Sequence, residues 1–210
     1  HPWAATYFDD QVSPAEGTSS EEFYQIYHKF GYDQAVSRAS DSLSYVYRLD
    51  EKYWLMMLDS CMCEPVHETG GKLSEETVAW MKTQLEEAKK QGVTVIPVSH
   101  HNLLDESTLY PEECTIENTK EVTALLEAYG VPVYLSGHLH LQRIKKHTSN
   151  LNTPGGYGIR EIVTSPLPMA PCQYSILNWQ ADGSLSYHTK KVDIAGWAQR
   201  YGEEDENLLN

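Results

Sequence analysis

The sequence predicts an α/β fold whose parallel strands carry polar, ligand-capable residues at one edge. Three apolar runs, at 53–58, 93–99 and 131–135, each stop at polar side chains. Two stretches with helical periodicity lie between the runs, which gives a β-α-β-α-β order. Such units place the carboxyl ends of their strands at one edge, where open α/β sheets bind ligands. The residues expected at that edge are Asp59, His100, His101, His138 and His140.

Four helices are predicted from apolar residues that recur at helical spacing. The first follows the cap-type residue Ser19, and the longest runs from its cap Ser74 to Gly92. The third spans 118–129 and the fourth spans 194–201. The predicted inward faces are Phe23, Ile26, Tyr27 and Phe30 in the first helix, Val78, Met81, Leu85 and Ala88 in the second, and Val122, Leu125, Leu126 and Tyr129 in the third.

Hairpins, one further strand and loops account for the other segments. Segments 44–48 and 53–58 flank Asp50-Glu51-Lys52, which indicates a hairpin. A second hairpin is indicated where 174–179 and 184–192 flank Ala181-Asp182-Gly183. Residues 158–164 are predicted to form a strand. The predicted loops are 1–18, 60–72, the acidic stretch from 102 to about 115, and the turn Thr153-Pro154-Gly155-Gly156.

The composition is that of a globular protein. The 210 residues, with 40% hydrophobic and 22% charged side chains, suffice for one substantial domain. The formal net charge is −14, and such a chain repels a polyanion unless a basic patch or a metal ion compensates. Duplex nucleic acid is therefore not expected as a partner. No apolar run approaches the roughly 18 residues of a membrane span, so no transmembrane segment is expected.

The cysteines and the two ends of the chain leave the cellular setting open. Cys61, Cys63, Cys114 and Cys172 lack the C-x-x-C spacing of zinc and redox sites, and thiols are expected. One or two disulfides remain an alternative if the protein is exported or lies at the cell surface. The chain starts at His1-Pro2-Trp3, and residues 206–210 resemble the start of a helix. Both ends indicate a piece of a longer protein.

The histidines at the ends of the second and third runs predict a metal site. His138 and His140 are two positions apart, and an extended turn would aim both rings at one point. Neutral imidazole is a common metal ligand. A lone H-x-H would indicate an ordinary polar turn, but His100-His101 repeats the arrangement at the end of the preceding run. Asp59 is predicted to cap its turn rather than to bind metal.

These motifs resemble those of the calcineurin-like metallophosphoesterases. That family's pattern runs D-x-H, G-D, G-N-H-[DE], a lone H and then G-H-x-H. His100, within Ser99-His100-His101-Asn102, matches the lone histidine, and Gly137-His138-Leu139-His140 matches the last motif in full. Pro2-Trp3-Ala4 is similar to a segment of bacterial members described as cyclic-nucleotide-phosphodiesterase-like. The D-x-H, G-D and G-N-H-D motifs are absent from this sequence and are expected ahead of residue 1.

The resemblance implies the C-terminal part of an αββα sandwich. Residues 1–192 would form this portion of the domain, and 193–210 would be a linker and the start of a helical segment. The partner implied for 1–192 is the missing N-terminal segment of the same domain. The intact protein would hold two divalent metal ions (Mn, Zn or Fe), and metal-activated hydroxide would hydrolyse a small phosphodiester or nucleotide.

The resemblance also assigns roles to individual residues. His100 and His138 would bind one metal ion and His140 the other. His101 would be a catalytic residue beside the ligands, in contact with the substrate or supporting the ligands, with a role as an alternative metal ligand as the less favoured interpretation. Asn102 would hydrogen-bond the substrate phosphate or hold its loop. The alternative is a catalytically silent fragment or a degenerate binding module of the same fold.

Overall fold

The computed structural model describes residues 5–8, 11–14, 17–62, 68–105, 113–147, 158–180 and 182–203. Within these ranges the chain forms a mixed α/β fold around a seven-stranded, largely parallel sheet. The helices are α1 (Ser20–Tyr27), α2 (Glu75–Gln91), α3 (Thr119–Ala128) and α4 (Ile194–Tyr201), with a short 3-10 helix at Tyr32–Gln34. The strands are β1 (Ala5–Phe8), β2 (Gln11–Pro14), β3 (Ala35–Arg38), β4 (Tyr45–Arg48), β5 (Tyr53–Met57), β6 (Thr94–Val98), β7 (Val133–Ser136), β8 (Arg143–Lys146), β9 (Arg160–Val163), β10 (Gln173–Trp179) and β11 (Leu185–Lys191).

The strand order of the sheet is β3-β4-β5-β6-β7-β9-β8. The pairs β5–β6, β6–β7 and β7–β9 are parallel, whereas β3, β4 and β8 run antiparallel to their neighbours. Helices α2 and α3 provide the crossovers between the parallel strands. The carboxyl ends of β5, β6, β7 and β9 therefore meet at one edge, as the β-α-β-α-β order predicts.

The two faces of the sheet have separate apolar cores. On one face Met81 and Leu85 of α2 and Leu126 of α3 pack with Trp54 and Met56 of β5. On the other face Ile96, Val133 and Ile162 pack with side chains of the β10–β11 hairpin, including Leu177 and Trp179. The parallel strands are thus buried on both faces, as parallel sheets require, and their carboxyl ends are available for a site.

The predicted helices and hairpins are confirmed to within a few residues. Ser74 caps α2 by accepting a 2.9 Å hydrogen bond from the Thr77 N–H, and Gly92 ends the helix in a left-handed conformation with φ of 69°. The four residues predicted for the inward face of α2 are buried. The β4–β5 and β10–β11 hairpins form as expected.

Two expectations about local structure are wrong, and two strands are missed. Residues 1–18 are not all loop, because β1 and β2 pair antiparallel from Ala5↔Pro14 to Phe8↔Gln11. The stripe on α1 is not buried: Ile26 is 60% exposed, and Phe30 lies beyond the helix end and is 77% exposed. Strands β3 and β8 are not predicted, since edge strands with largely exposed side chains leave no apolar run in the sequence.

Some expectations lie outside the described residues. These concern Pro2-Trp3-Ala4, Cys63, the centre of the acidic loop at 106–112, the turn Thr153-Pro154-Gly155-Gly156, and the end of the chain at 204–210. Cys114 and Cys172 are free thiols. Among the described helices, none combines the length and the apolar character that a membrane crossing needs.

Candidate metal centre

The ends of β6 and β7 bring two of the predicted ligands together. The strands are parallel neighbours, and backbone hydrogen bonds continue beyond them, from the Ser99 N–H to the Leu135 carbonyl and from the Gly137 N–H to the His100 carbonyl, both at 3.0 Å. The side chains that follow are therefore adjacent. Nδ1 of His138 lies 3.0 Å from Nε2 of His100.

His101 completes a group of three imidazoles. One ring nitrogen from each of His100, His101 and His138 lies within 4.8 Å of the others, and the ring centroids are 4.7 to 5.0 Å apart. Two nitrogen ligands of a tetrahedral zinc ion are about 3.3 Å apart, given Zn–N bonds of about 2.0–2.1 Å. The His100–His138 separation is within a few tenths of an ångström of that value, so this pair fits a metal ion. Among the described residues, no carboxylate belongs to this group.

The turn after β7 is not extended, and this expectation is wrong. His138 and His140 have φ angles of 62° and 54°, in the left-handed region. This conformation turns the chain, so the two side chains do not share one side as they would in a strand. His140 is exposed and lies outside the group of three rings, although its charge still acts on the pKa values of His100 and His138.

His101 is buried, and both of its ring nitrogens are engaged. Nε2 lies 2.9 Å from the Thr69 carbonyl, which only accepts, so this nitrogen carries the hydrogen. Nδ1, at 2.8 Å, then accepts from the Ser60 hydroxyl. His101 is 2% exposed and Ser60 is fully buried, so this Ser–His pair is not an open nucleophile. In this arrangement His101 ties the loop after β6 to two points of the loop after β5, beside the other two rings.

Asn102 lies beneath the site. Its side chain is fully buried and donates from Nδ2 to the Ser136 hydroxyl at 2.9 Å and to the Gly137 carbonyl at 3.3 Å. Its Oδ1 has no hydrogen-bond partner within the described part of the chain. The amide therefore joins the loop after β6 to the turn after β7. This position suits the loop-holding role expected for Asn102.

Asp59 caps its own turn, as expected. One carboxylate oxygen accepts from the Cys61 N–H at 3.2 Å, and the other accepts from the Leu43 N–H at 3.3 Å. The Asp59 N–H in turn donates to the Ser44 hydroxyl at 2.9 Å. Through these bonds Asp59 holds the end of β5 against the segment before β4.

The three clustered rings all have lowered pKa values. His100 as a whole residue is exposed, but the protein around its ring partly desolvates it, and this desolvation, followed by the charges of His101 and His138, lowers the pKa of His100 to about 4. Burial and the His101 charge lower the pKa of His138, while a hydrogen bond to the Glu113 backbone acts in the opposite direction. Burial likewise lowers the pKa of His101 against the opposing Thr69 bond. All three rings are neutral at pH 7, and neutral imidazole is the form that binds metal ions.

These shifts predict that the metal-free protein loses stability in mild acid. The unfolded chain takes up protons near the ordinary histidine pKa of 6.5, whereas folded His100 does so near 4. The unfolded state therefore binds more protons between these values, and the free energy of unfolding falls as the pH drops through this window. The free energy of unfolding, measured with urea at several pH values from about 7.5 to about 4.5, gives its slope against pH.

A pair of variants tests whether the cluster causes that slope. His138→Gln is expected to make the slope of the unfolding free energy against pH shallower. The reduction corresponds to the uptake of up to about one proton, because the variant lacks one ring with a lowered pKa. His188→Gln, at an exposed position on β11, is the control and should leave the slope unchanged. Equal slopes in all three proteins would contradict the prediction.

Sequence reasoning missed the buried carboxylate of Glu161. It lies in β9, fully buried, and accepts hydrogen bonds from the loop after His101 and from Ser136. The signal in the sequence is weak, because Glu161 follows Arg160 in the segment 159–163 and such a charged pair is typical of an exposed position. Ser60 and Thr69, which bind His101, carry no signal because they lie more than 30 residues away in the sequence.

No protein-family model and no curated protein matches this chain. The solved structures that resemble it include a dimetal phosphatase from Danio rerio. The two share 15% sequence identity with a TM-score of 0.48, and the match covers 61% of this chain and 51% of the phosphatase chain. The matched region thus spans about half the length of that phosphatase.

Proposed function

We propose that this chain contributes histidine ligands to the metal centre of a phosphoester hydrolase. The observation that carries the proposal is the 3.0 Å approach of His138 Nδ1 to His100 Nε2 at the ends of adjacent parallel strands. Two neutral rings held at that distance by two neighbouring, hydrogen-bonded backbone segments form half of a tetrahedral site. Their G-H-x-H and strand-ending H-H motifs are similar to those of calcineurin-like metallophosphoesterases.

The proposed roles follow the positions of the side chains. His100 and His138 hold one divalent ion, and the exposed His140 is available to a second. His101 keeps the neighbouring loops in place through its bonds to Ser60 and Thr69. A bound divalent ion would polarise a phosphoryl group and lower the pKa of water beside it. Mn, Zn and Fe suit imidazole ligands.

A carboxylate ligand must come from elsewhere in the protein. Two cations a few ångströms apart repel each other, and a bridging carboxylate offsets that repulsion. The described part of the chain brings no Asp or Glu into the histidine group. We therefore propose that a preceding segment with D-x-H, G-D and G-N-H-D motifs completes the centre. The proposed substrates are small phosphodiesters or nucleotides, since the net charge of −14 disfavours duplex nucleic acid.

The test compares two proteins. A chain extended upstream to include those motifs is expected to hydrolyse a chromogenic phosphodiester, to lose activity on chelation and to regain it with Mn²⁺ or Zn²⁺. The 210-residue chain alone is expected to bind one ion and to hydrolyse nothing. Phosphodiesterase activity that survives complete chelation would contradict the proposal, as would rapid turnover by the 210-residue chain.

A second candidate function is a binding module without catalysis. The observation that favours it is the purely imidazole composition of the cluster in the described ranges, together with the engagement of both His101 nitrogens. The codons upstream of residue 1 discriminate between the two functions. If they encode no D-x-H and G-N-H-D motifs, the binding module is the better interpretation.

A further inference from the structure

We propose that Glu161 is a positioning residue whose buried carboxylate holds the His100 loop and the His138 turn at metal-binding distance. This inference rests on the proposed metal centre, and it assigns a role to a residue outside the histidine motifs. Glu161 lies in β9, paired with Tyr134 of β7 on one side and with Lys145 of β8 on the other. It is fully buried.

Leu103, Leu104 and Ser136, all within the described ranges, donate to the two carboxylate oxygens. Oε1 accepts from the Leu103 N–H at 2.7 Å and from the Ser136 hydroxyl at 2.6 Å. Oε2 accepts from the Leu104 N–H at 2.6 Å. Backbone N–H groups can only donate, and an ionised carboxylate is the side chain that accepts on both oxygens. Short bonds of this kind to a charged acceptor are among the stronger hydrogen bonds in proteins.

The donors belong to the two segments that carry the ligands. Leu103 and Leu104 follow His100 by three and four residues, and Ser136 precedes His138 by two. The Ser136 hydroxyl, which donates to Glu161, also accepts from Asn102 Nδ2 at 2.9 Å. The hydrogen bonds from Asn102 to Ser136 and from Ser136 to Glu161 therefore connect the segment after β6 to the turn after β7. The Glu161 carboxylate is the final acceptor in this series.

A second polar chain holds a different part of the site. The Tyr134 hydroxyl donates to the Ser99 hydroxyl at 2.7 Å, which donates to the His101 carbonyl at 2.6 Å. That chain secures the backbone of residues 99–101 and does not reach Leu103, Leu104 or Ser136. Within the described residues, Glu161 links the segment after the histidines to the turn before His138.

Glu161→Gln changes the charge and the hydrogen bonding of this side chain but keeps its shape. The amide has nearly the same volume but can accept on one side only. Its NH₂ group must face either the Leu104 N–H or the Leu103 N–H, and neither group can accept a hydrogen bond, so the Leu103–Leu104 segment must shift in either orientation. We expect Zn²⁺ affinity, measured by calorimetry on the full chain, to fall about 10- to 100-fold, the effect typical of removing a partner that orients metal ligands. Co²⁺ added to the same variant should give a weaker and shifted visible absorption band.

Two further variants separate positioning from general destabilisation. Leu85→Ala removes a 2% exposed core side chain of α2 that lies away from the site, and it should destabilise the fold without changing Zn²⁺ affinity. Ser136→Ala removes one donor and leaves the carboxylate in place. It should weaken Zn²⁺ binding by less than Glu161→Gln, and it supplies the test if Glu161→Gln does not fold.

The outcomes distinguish this inference from the proposed function. Suppose first that the unmodified chain binds Zn²⁺ and that the Glu161→Gln variant binds it equally well. Glu161 is then not a positioning residue, whereas the metal centre stands. The Ser136→Ala variant takes the place of Glu161→Gln if the latter does not fold. If the unmodified chain binds no metal, the proposed centre fails, and NMR of the metal-free proteins decides about Glu161. Shifted His100, His138 and Gly137 signals in the variant would support positioning, and signals that coincide with those of the unmodified chain would overturn it.

Discussion

Replacing His138 by alanine is expected to abolish metal binding by the 210-residue chain. His138 supplies the nitrogen 3.0 Å from His100, and its left-handed backbone conformation places the ring there. Loss of a ligand should exceed the roughly 10- to 100-fold effect of losing a partner that orients ligands. Calorimetric titration with Zn²⁺ at about pH 7, where the rings are neutral, measures the change.

His140→Ala is the informative comparison for that experiment. His140 belongs to the same motif but is exposed and lies outside the group of three rings. A chain that binds a single ion through His100 and His138 should therefore keep most of its affinity in His140→Ala. The exposed His188 on β11 provides a neutral control. If His138→Ala and His140→Ala weaken Zn²⁺ binding equally, the assignment of the first ion to the His100–His138 pair is wrong.

Gly71→Ala is expected to be the most disruptive single-methyl change near the site. A Cβ at position 71 would lie 2.3 Å from Cγ and 2.4 Å from Nδ1 of His101, far inside contact distance. The ring cannot move away without breaking its bonds to Ser60 and Thr69. Overpacking of this kind costs about 1–3 kcal/mol in the free energy of unfolding. Zn²⁺ affinity should fall as well, since the His101 ring packs against His100 and His138.

The adjacent glycine provides the matched control for this prediction. A Cβ at Gly70 would approach the flexible end of Met62 at 3.3 Å and the Glu113 backbone at 3.8 Å, which small adjustments can accommodate. Gly70→Ala should therefore change the free energy of unfolding by no more than about 0.5 kcal/mol. Urea unfolding of both variants is the measurement. Equal stabilities would show that the position of His101 is not constrained as described.

The sequence by itself determined the main helices and the order of the parallel strands. Apolar periodicity and caps are local properties, so α2 could be predicted from Ser74 to Gly92, and its buried residues followed from the helical repeat. The order of the parallel strands placed His100 and His138 at one edge, because right-handed crossovers put successive strand ends side by side. The proximity of these two residues therefore follows from the order of elements along the chain.

The conformation of the ligand turn was decided by tertiary structure. Spacing alone predicts that residues two apart share a side, but this holds only for extended backbone. His138 and His140 adopt left-handed φ angles, while Gly137 donates to the His100 carbonyl across the two strands. A contact with a segment 37 residues away fixes this geometry, and no local pattern encodes it.

Tertiary structure likewise decided which partners the buried polar groups have. Ser60 meets His101 across 41 residues, and Glu161 meets Leu103 across 58. A buried carboxylate needs compensating partners, because an unpaired buried charge is costly. Which donors compensate it depends on how β9 packs beside β7. The sequence thus determined that His100 and His138 meet, whereas the packing of distant segments excluded His140 from the group and decided what holds the rings in place.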